Sequence, residues 1–262
     1  MPLPREYISH SQIRTYSDCP LRYYFAYIEE IPQPINDKIL LGQVFHSAIE
    51  HYFIQRINRI EIGSEEIIEV FDRQFDSLQA ERDIVWKDTP RETRERGLAF
   101  VRFFLSQIGP AIKPLKVEEE LTVEIPQTGI RLKGVIDLVE DDFSITDFKT
   151  STSRWNGSRA RNSLQMIIYK YLFDRTYGGV NSTIRFEILY SKNASNIKRQ
   201  TLRVVPGEEE IAQMLEVVIH IADNISRGIF YRKENYTCPY CEYRELCRTK
   251  RFPVPDGMVH PD

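Results

Sequence analysis

The chain lacks a long apolar run, and this absence limits where the protein can work. No segment approaches the roughly 20 apolar residues that a membrane-spanning helix requires, although 42% of the 262 residues are hydrophobic. The N-terminal sequence MPLPRE also lacks the features of a secretory signal. We therefore expect an intracellular, cytoplasmic protein with no membrane partner.

Cysteine is scarce, with four in the chain. Disulfides are uncommon in a reducing compartment, so metal ligation is the expected use of these thiols. Cys238, Cys241 and Cys247 form a C-x2-C-x5-C cluster in a C-terminal segment at about 236–250, and Cys19 is the only other cysteine that could complete a set of four. Zinc and iron–sulfur clusters both use four thiolates, so the spacing leaves both open. Four unrelated buried thiols are the alternative.

Neither sign of charge dominates, since the formal net charge is −3. The basic residues are unevenly placed: residues 151–200 contain nine Lys and Arg against two acidic residues. A basic segment of this kind suits a nucleic-acid backbone, so Arg154, Arg159 and Arg161 are candidate DNA contacts. A solvated helix face is the alternative. The chain also lacks a G-x4-G-K-[ST] motif, so unwinding of DNA would need a partner.

The motifs GVID and DFK hold Asp137, Asp147 and Lys149 and carry the strongest functional signal. Both motifs lie in strand-like runs separated by a turn-like acidic sequence, which predicts a β-hairpin. A loop centred near Asp142 places the two motif aspartates roughly opposite each other, with the lysine on the face of the second. Opposed carboxylates are destabilising without a cation between them, so we expect a divalent-metal site. A solvent-facing acidic edge is the alternative.

Apolar periodicity predicts an α/β protein with a mixed sheet flanked by helices. Without internal repeats or low-complexity tracts, the chain is expected to form one domain, 1–262, with a helical insertion at roughly 60–110. The predicted helices run from Ser9 toward Asp18, from Pro20 to Tyr27, over 40–58, from Ser64 to about Ala80, from Pro90 to near Gly109, over about 158–177 with a stop at Gly178–Gly179, and over about 207–227. The predicted strands are three between about 115 and 150 and two near 183–191 and 197–205.

Two helices carry polar residues at one-turn spacing. Gly42 and His46 share a helix face that continues in apolar residues, so the imidazole is expected to point inward, and a hydrogen-bonded core histidine is the favoured interpretation. Gly42 would permit close approach to a sheet and hence to the aspartates, which would make His46 a ligand. Gln165 and Tyr169 lie on the helix that follows the hairpin. They are expected to contact a phosphate or help to place Lys149, with satisfied core polar groups as the alternative.

Together these residues resemble the RecB-family exonucleases of the PD-(D/E)XK superfamily, specifically the iron–sulfur branch. That branch includes AddB-type nuclease domains, the mitochondrial exonuclease-five type and CRISPR adaptation nucleases. The resemblance covers nearly the whole chain and implies a restriction-endonuclease-like fold. It rests on Ser9…Cys19-Pro20…Tyr23-Tyr24, Gly42…His46, Gly134-Val135-Ile136-Asp137, Asp147-Phe148-Lys149, Gln165…Tyr169 and the final three cysteines.

The resemblance implies that His46, Asp137 and Asp147 bind Mg²⁺ or Mn²⁺, with the Phe148 carbonyl as a further ligand. Lys149 would orient or help to deprotonate the attacking water and stabilise charge on the phosphate. The Q-x3-Y pair would lie beside the site. The cysteines would hold a [4Fe-4S] cluster that clamps the C-terminus, rather than zinc. The ligands implied for this cluster are Cys19, Cys238, Cys241 and Cys247.

Two positions depart from the family pattern. Ile136 replaces the usual proline, and Asp147 stands where glutamate is usual; neither change removes a metal-binding oxygen.

The expected function is a metal-dependent DNA exonuclease acting on single-stranded ends in repair or recombination, with a helicase or recombination protein as its candidate partner. Three alternatives remain: a CRISPR adaptation nuclease that trims spacer precursors, a non-catalytic DNA-binding subunit of a helicase–nuclease complex, and a zinc-stapled protein of unrelated function. The long helical insertion between His46 and Asp137 favours the general nuclease over the CRISPR enzyme.

Overall fold

Helices form most of the part of the chain that this computed structural model describes, residues 3, 5–178 and 183–249. The helices are α1 (His10–Asp18), α2 (Pro20–Tyr23), α3 (Asp37–Ile57), α4 (Ser64–Glu81), α5 (Pro90–Gln107), α6 (Gly157–Arg161), α7 (Leu164–Tyr177), α8 (Glu208–Ser226) and α9 (Arg244–Thr249). A π-helical turn over Tyr24–Ile28 extends α2, and 3-10 turns lie at Gly109–Ala111 and Cys238–Tyr240. No helix within the described ranges is long and apolar enough to cross a membrane.

A six-stranded mixed sheet lies at the centre of the fold, and β2 and β3 pair separately as a small parallel sheet. The strands are β1 (Ile8–Ser9), β2 (Ile35–Asn36), β3 (Ile84–Val85), β4 (Pro114–Glu124), β5 (Arg131–Glu140), β6 (Ile145–Ser151), β7 (Ile184–Tyr190) and β8 (Lys198–Val204). In the large sheet, β6 and β7 are parallel and the crossover between them carries α6 and α7, whereas β7 and β8 are antiparallel.

Strand β5 has three partners because its neighbours change along its length. It pairs with β4 on one side, while the other side pairs with β1 at Leu132–Lys133 and with β6 at Leu138–Val139. Between these two short ladders, no strand of the described residues pairs with the GVID segment of β5 on that side. The sheet therefore opens beside Asp137, and polar groups there must find partners other than a neighbouring backbone.

Two apolar cores cover the two faces of the sheet. One core lies between the sheet and α1, α7 and α8, and it includes Ile136 and Ile168. The other lies between the sheet and α3, α4 and α5, and it includes Leu138 and Phe148. Alternation along β6 therefore buries Phe148 toward α3 and leaves its two neighbours facing α7. A third, smaller core joins α2 to the C-terminal segment.

The structure confirms most of the predicted elements and corrects one. The expected single helix over 158–177 is two helices, because Asn162 and Ser163 leave helical geometry between α6 and α7. Short polar side chains of this kind compete with the helix for backbone hydrogen bonds. Gly178 ends α7 in a left-handed conformation with φ of 80°; Gly179 and the last residue of the predicted segment 236–250 lie outside the described residues.

Candidate active site

Asp137 lies next to the end of the β5–β6 ladder, and its side chain makes the hydrogen bond to β6 that a backbone carbonyl would make in a continuing ladder. Its Oδ2 atom accepts a 2.9 Å hydrogen bond from the backbone N–H of Phe148. The β5–β6 register pairs Leu138 with Thr146, and extending it by one residue places Asp137 opposite Asp147, as the turn centre predicted. The hairpin geometry is thus confirmed.

Asp147 is fully buried and forms an ion pair with Lys149. Lys149 Nζ lies 2.8 Å from Asp147 Oδ2, and the Asp147 side chain has 0% exposure. Burial raises the pKa of Asp147, while Lys149 opposes that rise and Asp137 adds to it. Burial lowers the pKa of Lys149, but Asp147 and Asp137 outweigh it and leave that pKa above its ordinary value. The acidic-edge alternative does not fit, because this hairpin face is covered.

His46 reaches the opening in the sheet from α3. Its Nε2 atom lies 2.9 Å from the Phe148 carbonyl oxygen, and its Nδ1 atom lies 3.4 Å from Asp137 Oδ2. A carbonyl can only accept, so Nε2 carries the donated hydrogen, and Nδ1 is the ring nitrogen that faces the carboxylate. A Cβ built at Gly42 would lie 3.8 Å from Thr150 Oγ1, an ordinary van der Waals contact, so this approach does not require a glycine there. The hydrogen bond to Phe148 fits the core-histidine interpretation, and the Nδ1 position fits that of a ligand.

Glu118 completes this group and was missed by sequence reasoning. Within the described ranges, one set of three potential ligands has its donor atoms within 4.8 Å of one another: His46, Glu118 and Asp137. Burial raises the pKa of Glu118 to about 7, and Asp137 and Glu50 contribute in the same direction. Crowded acidic oxygens beside an imidazole fit a hard divalent cation.

A sequence signal for Glu118 did exist. The turn between β4 and β5 is centred on Gln127–Thr128, which places Glu118 opposite Asp137 by the same counting that paired the hairpin aspartates. Three glutamates follow one another here, and the sequence does not show which of them faces Asp137. In the structure, Glu119 binds Lys116 and Tyr177, and Glu120 binds Lys133, which distinguishes both from Glu118.

Gln165 and Tyr169 lie beside Asp147, and among the described residues no hydrogen bond joins either of them to Lys149. Gln165 Nε2 donates hydrogen bonds of 2.9 Å to Asp147 Oδ1 and 2.8 Å to Tyr169 Oη. Burial raises the pKa of Tyr169 well above its ordinary value, with Asp137 and Asp147 contributing, so the phenol remains protonated. The pair therefore orients Asp147 from α7, and the other oxygen of the same carboxylate binds Lys149; a role of the pair in placing Lys149 stays a prediction.

The three candidate arginines lie in different places. Arg159 stacks on Trp155, with its guanidinium carbon 3.6 Å from the ring centroid, and lines a cavity at the end of β6. Arg154 lines a separate cavity with Lys192, whereas Arg161 is exposed on α6. The basic segment 151–200 is thus no single helix face, and some of its charge is neutralised by ion pairs, such as those of Arg185 and Arg199 with Glu187.

All four cysteines line one cavity of about 180 Å³ between α2 and the C-terminal segment. They are free thiols of intermediate exposure. No three of them bring their sulfur atoms within 4.8 Å of one another among the described residues. The same cavity is lined by basic side chains, namely Arg22, Arg232, Lys233, Arg244 and Arg248.

The family profile of the PD-(D/E)XK nuclease superfamily matches residues 7–248. The chain belongs to this superfamily. The match extends over every site residue described above, from Cys19 to Cys247. Membership identifies the class of chemistry, since nucleases of this superfamily cleave nucleic acid with divalent metal ions. No curated protein sequence matches the chain significantly.

Solved structures support the assignment of this superfamily member at the level of fold. A candidate exonuclease from Eubacterium rectale superposes with a TM-score of 0.61, covering 97% of this chain and 94% of its own, at 12% identity. At that identity the likeness shows a shared fold alone. The structure of SSO0001 covers 92% of this chain and 96% of its own at 13% identity, but its TM-score of 0.36 carries no further argument.

Proposed function

We propose that the protein is a Mg²⁺- or Mn²⁺-dependent deoxyribonuclease of the RecB type that digests single-stranded DNA from its ends in repair or recombination. The observation that carries the proposal is the meeting of two groups at the opening in the sheet. One is the ligand set His46, Glu118 and Asp137, and the other is the buried Asp147–Lys149 ion pair. A structural role alone would not require this concentration of charge, because buried ion pairs contribute little to stability.

The donor set fits a divalent cation on the observed geometry. His46, Glu118 and Asp137 would hold it, with the Phe148 carbonyl adjacent and bonded to His46, and Asp147 would join them as the resemblance implies. Burial, with Asp137 and Glu50 adding to it, raises the pKa of Glu118. When bound, the ion would supply Lewis acidity toward a phosphate oxygen and toward a water molecule.

Lys149 stabilises the negative charge that develops on the phosphate. Its ammonium lies 2.8 Å from Asp147, and this contact keeps it protonated. A protonated amine cannot accept a proton, so we assign Lys149 to charge stabilisation and water orientation rather than water deprotonation. Gln165 fixes the second oxygen of Asp147 and thereby the direction in which that carboxylate presents its lone pairs.

Asp147→Ala and Lys149→Ala test this function directly. Each purified variant should lose Mg²⁺- or Mn²⁺-dependent cleavage of labelled single-stranded DNA by at least about a hundredfold, while circular dichroism remains native. Lys113→Ala, an exposed lysine before β4, is the matched control and should retain full activity. Full cleavage in both site variants would refute the assignment. DNA binding without turnover under any divalent metal would instead favour a non-catalytic subunit of a helicase–nuclease complex.

We further propose that the cysteine cavity holds a [4Fe-4S] cluster. A single zinc ion needs sulfur atoms about 3.8 Å apart, given a Zn–S bond of about 2.3 Å, whereas the thiols here surround a larger space. A cluster held by four thiolates is anionic, which explains the ring of arginines and lysine around it. An anaerobic preparation should be brown, absorb at about 400 nm and contain iron and acid-labile sulfide. A colourless, zinc-loaded preparation would contradict this proposal.

A further inference from the structure

A second cavity of about 290 Å³ lies at the C-terminal end of β6. One side consists of the hydroxyl-rich segment 150–153, whose sequence is TSTS. Three basic side chains, Lys38, Arg96 and Arg159, also line it, and no carboxylate does. The inner side is closed by the buried, apolar Phe100, with Leu41 next to it.

The cavity adjoins the candidate catalytic centre. Thr150 and Ser151 directly follow Lys149 on β6, and Ser151 shares the face of Lys149 and Asp147 because side chains alternate along a strand. Two residues of β-strand span about 7 Å, so the cavity begins within one nucleotide of the lysine. A strand of DNA at the catalytic centre would therefore place a neighbouring phosphate at its mouth.

The positive charge of the cavity is only partly compensated. Arg96 is 4% exposed and donates to Asp88 at 2.6 Å and to the Lys192 carbonyl at 3.3 Å. In the part of the chain that the structure describes, the Lys38 and Arg159 side chains have no carboxylate partner. Burial, followed by the nearby Arg14, lowers the pKa of Arg159.

The position of Arg159 is fixed by a rigid support. Its guanidinium lies against the Trp155 ring. The Trp155 backbone exchanges two hydrogen bonds with the Gln200 side chain, at 2.9 and 3.0 Å, and its ring packs on Phe186 at 5.2 Å between centroids. Fixed cations and hydroxyls around a half-open cavity are groups that bind phosphate oxygens.

We propose that this cavity binds a terminal phosphate monoester of the DNA strand, next to the bond that is cleaved. A monoester carries more negative charge than an internal phosphodiester and can enter a space closed behind by Phe100 and Leu41, which a continuing strand cannot cross. This inference rests on the proposed nuclease function and deepens it, because recognition of an end phosphate would make the enzyme act at phosphorylated ends.

The experiment measures binding without turnover. One internally labelled single-stranded DNA is prepared with a 5′-phosphate, with a 3′-phosphate, or with hydroxyls at both ends, and its affinity is measured by anisotropy in EDTA. A phosphate at one of the two ends should tighten binding about tenfold, the equivalent of one charge-assisted hydrogen bond. Arg159→Ala should abolish this tenfold preference for the phosphorylated DNA. Arg161→Ala, which removes the same charge from the same short helix, should keep the preference.

Equal binding of all three DNAs by the unaltered protein would overturn the inference. So would an Arg159→Ala variant that keeps the ratio of affinities between the phosphorylated and unphosphorylated DNAs. A uniform loss of affinity in that variant is one such result and would indicate contact with an internal phosphodiester. If Arg159→Ala does not fold, Lys38→Ala decides by the same ratio. Cleavage of the same DNAs in Mg²⁺ separates the two proposals. A phosphate preference without cleavage refutes the nuclease function alone, and cleavage without a preference refutes the end-phosphate site alone.

Discussion

Glu118 lies directly across the β4–β5 ladder from Asp137, at a level where both strands are distorted. The flanking pairs are Val117 with Leu138 and Glu119 with Ile136. Glu118 has a φ of 47°, a left-handed conformation that costs a non-glycine residue about 1 kcal/mol. Ile136 and Leu138 are two residues apart yet belong to different cores, so alternation also breaks at Asp137. Local strain of this kind is concentrated at functional sites.

Glu118→Gln should stabilise the metal-free protein and weaken metal binding. Removing one charge from the crowded carboxylates should relieve about 1 kcal/mol of repulsion, which raises the melting temperature in EDTA by about 2–4 °C. The affinity for Mn²⁺, measured by titration calorimetry, should fall at least about tenfold because a charged ligand is lost. Glu120→Gln, whose carboxylate pairs with Lys133, should leave Mn²⁺ affinity unchanged. Equal Mn²⁺ affinities in all three proteins would exclude Glu118 as a ligand.

Gln165→Leu should lower catalysis more than stability. The variant loses the 2.9 Å hydrogen bond to Asp147 Oδ1, a charged-group bond worth about 1.5–3 kcal/mol. We expect kcat on single-stranded DNA to fall about tenfold or more, with KM nearly unchanged, since Gln165 positions a carboxylate rather than DNA. The carboxylate of Gln165→Glu cannot donate a hydrogen bond from the same position, so the kcat of this variant should fall by a similar factor. A change confined to KM would instead point to DNA contact.

Gly134→Ala should lower both the stability and the nuclease activity of the protein. A Cβ at this position would lie 2.7 Å from Leu172 Cδ1 and 3.3 Å from Tyr169 Cε1, so α7 must shift. Overpacking of this kind costs about 1–3 kcal/mol, and moving Tyr169 disturbs Gln165. Gly157→Ala is the control, because nothing lies within 4 Å of its added Cβ. Urea unfolding and nuclease assays of both variants check the prediction, which fails if they behave alike.

His10 should make the metal-free protein sensitive to mild acid. Burial, followed by Arg14 and Lys149, lowers its pKa from 6.5 to about 4. As pH falls below 6.5, His10 becomes protonated in the unfolded chain but stays neutral in the folded protein. The free energy of unfolding therefore falls between about pH 6.5 and 4, by up to on the order of 3 kcal/mol. His10→Gln should flatten this decline in urea unfolding measured in EDTA. Parallel pH profiles for the two proteins would show that His10 does not cause it.

Cys19→Ser should release the C-terminal segment as well as the cluster. Cys19 joins α1 to α2, more than two hundred residues before the other cysteines, so a shared cluster closes a large loop. The variant should lose absorbance at about 400 nm, and limited proteolysis should cut between 228 and 249 at lower protease concentration. Ser17→Ala, on the exposed side of α1, should match the unaltered protein in both measurements. Retained absorbance in Cys19→Ser would show that the fourth ligand is another group.

Much of the site followed from local rules. Alternation and a turn centred near Asp142 were enough to oppose the two hairpin aspartates. Helical spacing was enough to point His46 inward, but it favoured a core histidine, and the position of the imidazole beside Asp137 depends on how α3 packs on the sheet. The partner of Gln165 was not predictable, because whether α7 meets the lysine or the aspartate depends on how the helix packs on the sheet. The division of the chain into one domain with an insertion stays a prediction.

The sequence by itself determined the order of the chemical groups, the hairpin register and the class of the fold, because these depend on short-range periodicity and turn position. Only the tertiary structure decided which of three glutamates joins His46 and Asp137, which arginine lines the cavity behind Lys149, and how Cys19 meets the C-terminal thiols. Those outcomes depend on contacts between residues distant in the chain. Such contacts form where the sheet opens and helices pack over it, and short-range patterns in the sequence do not predict them.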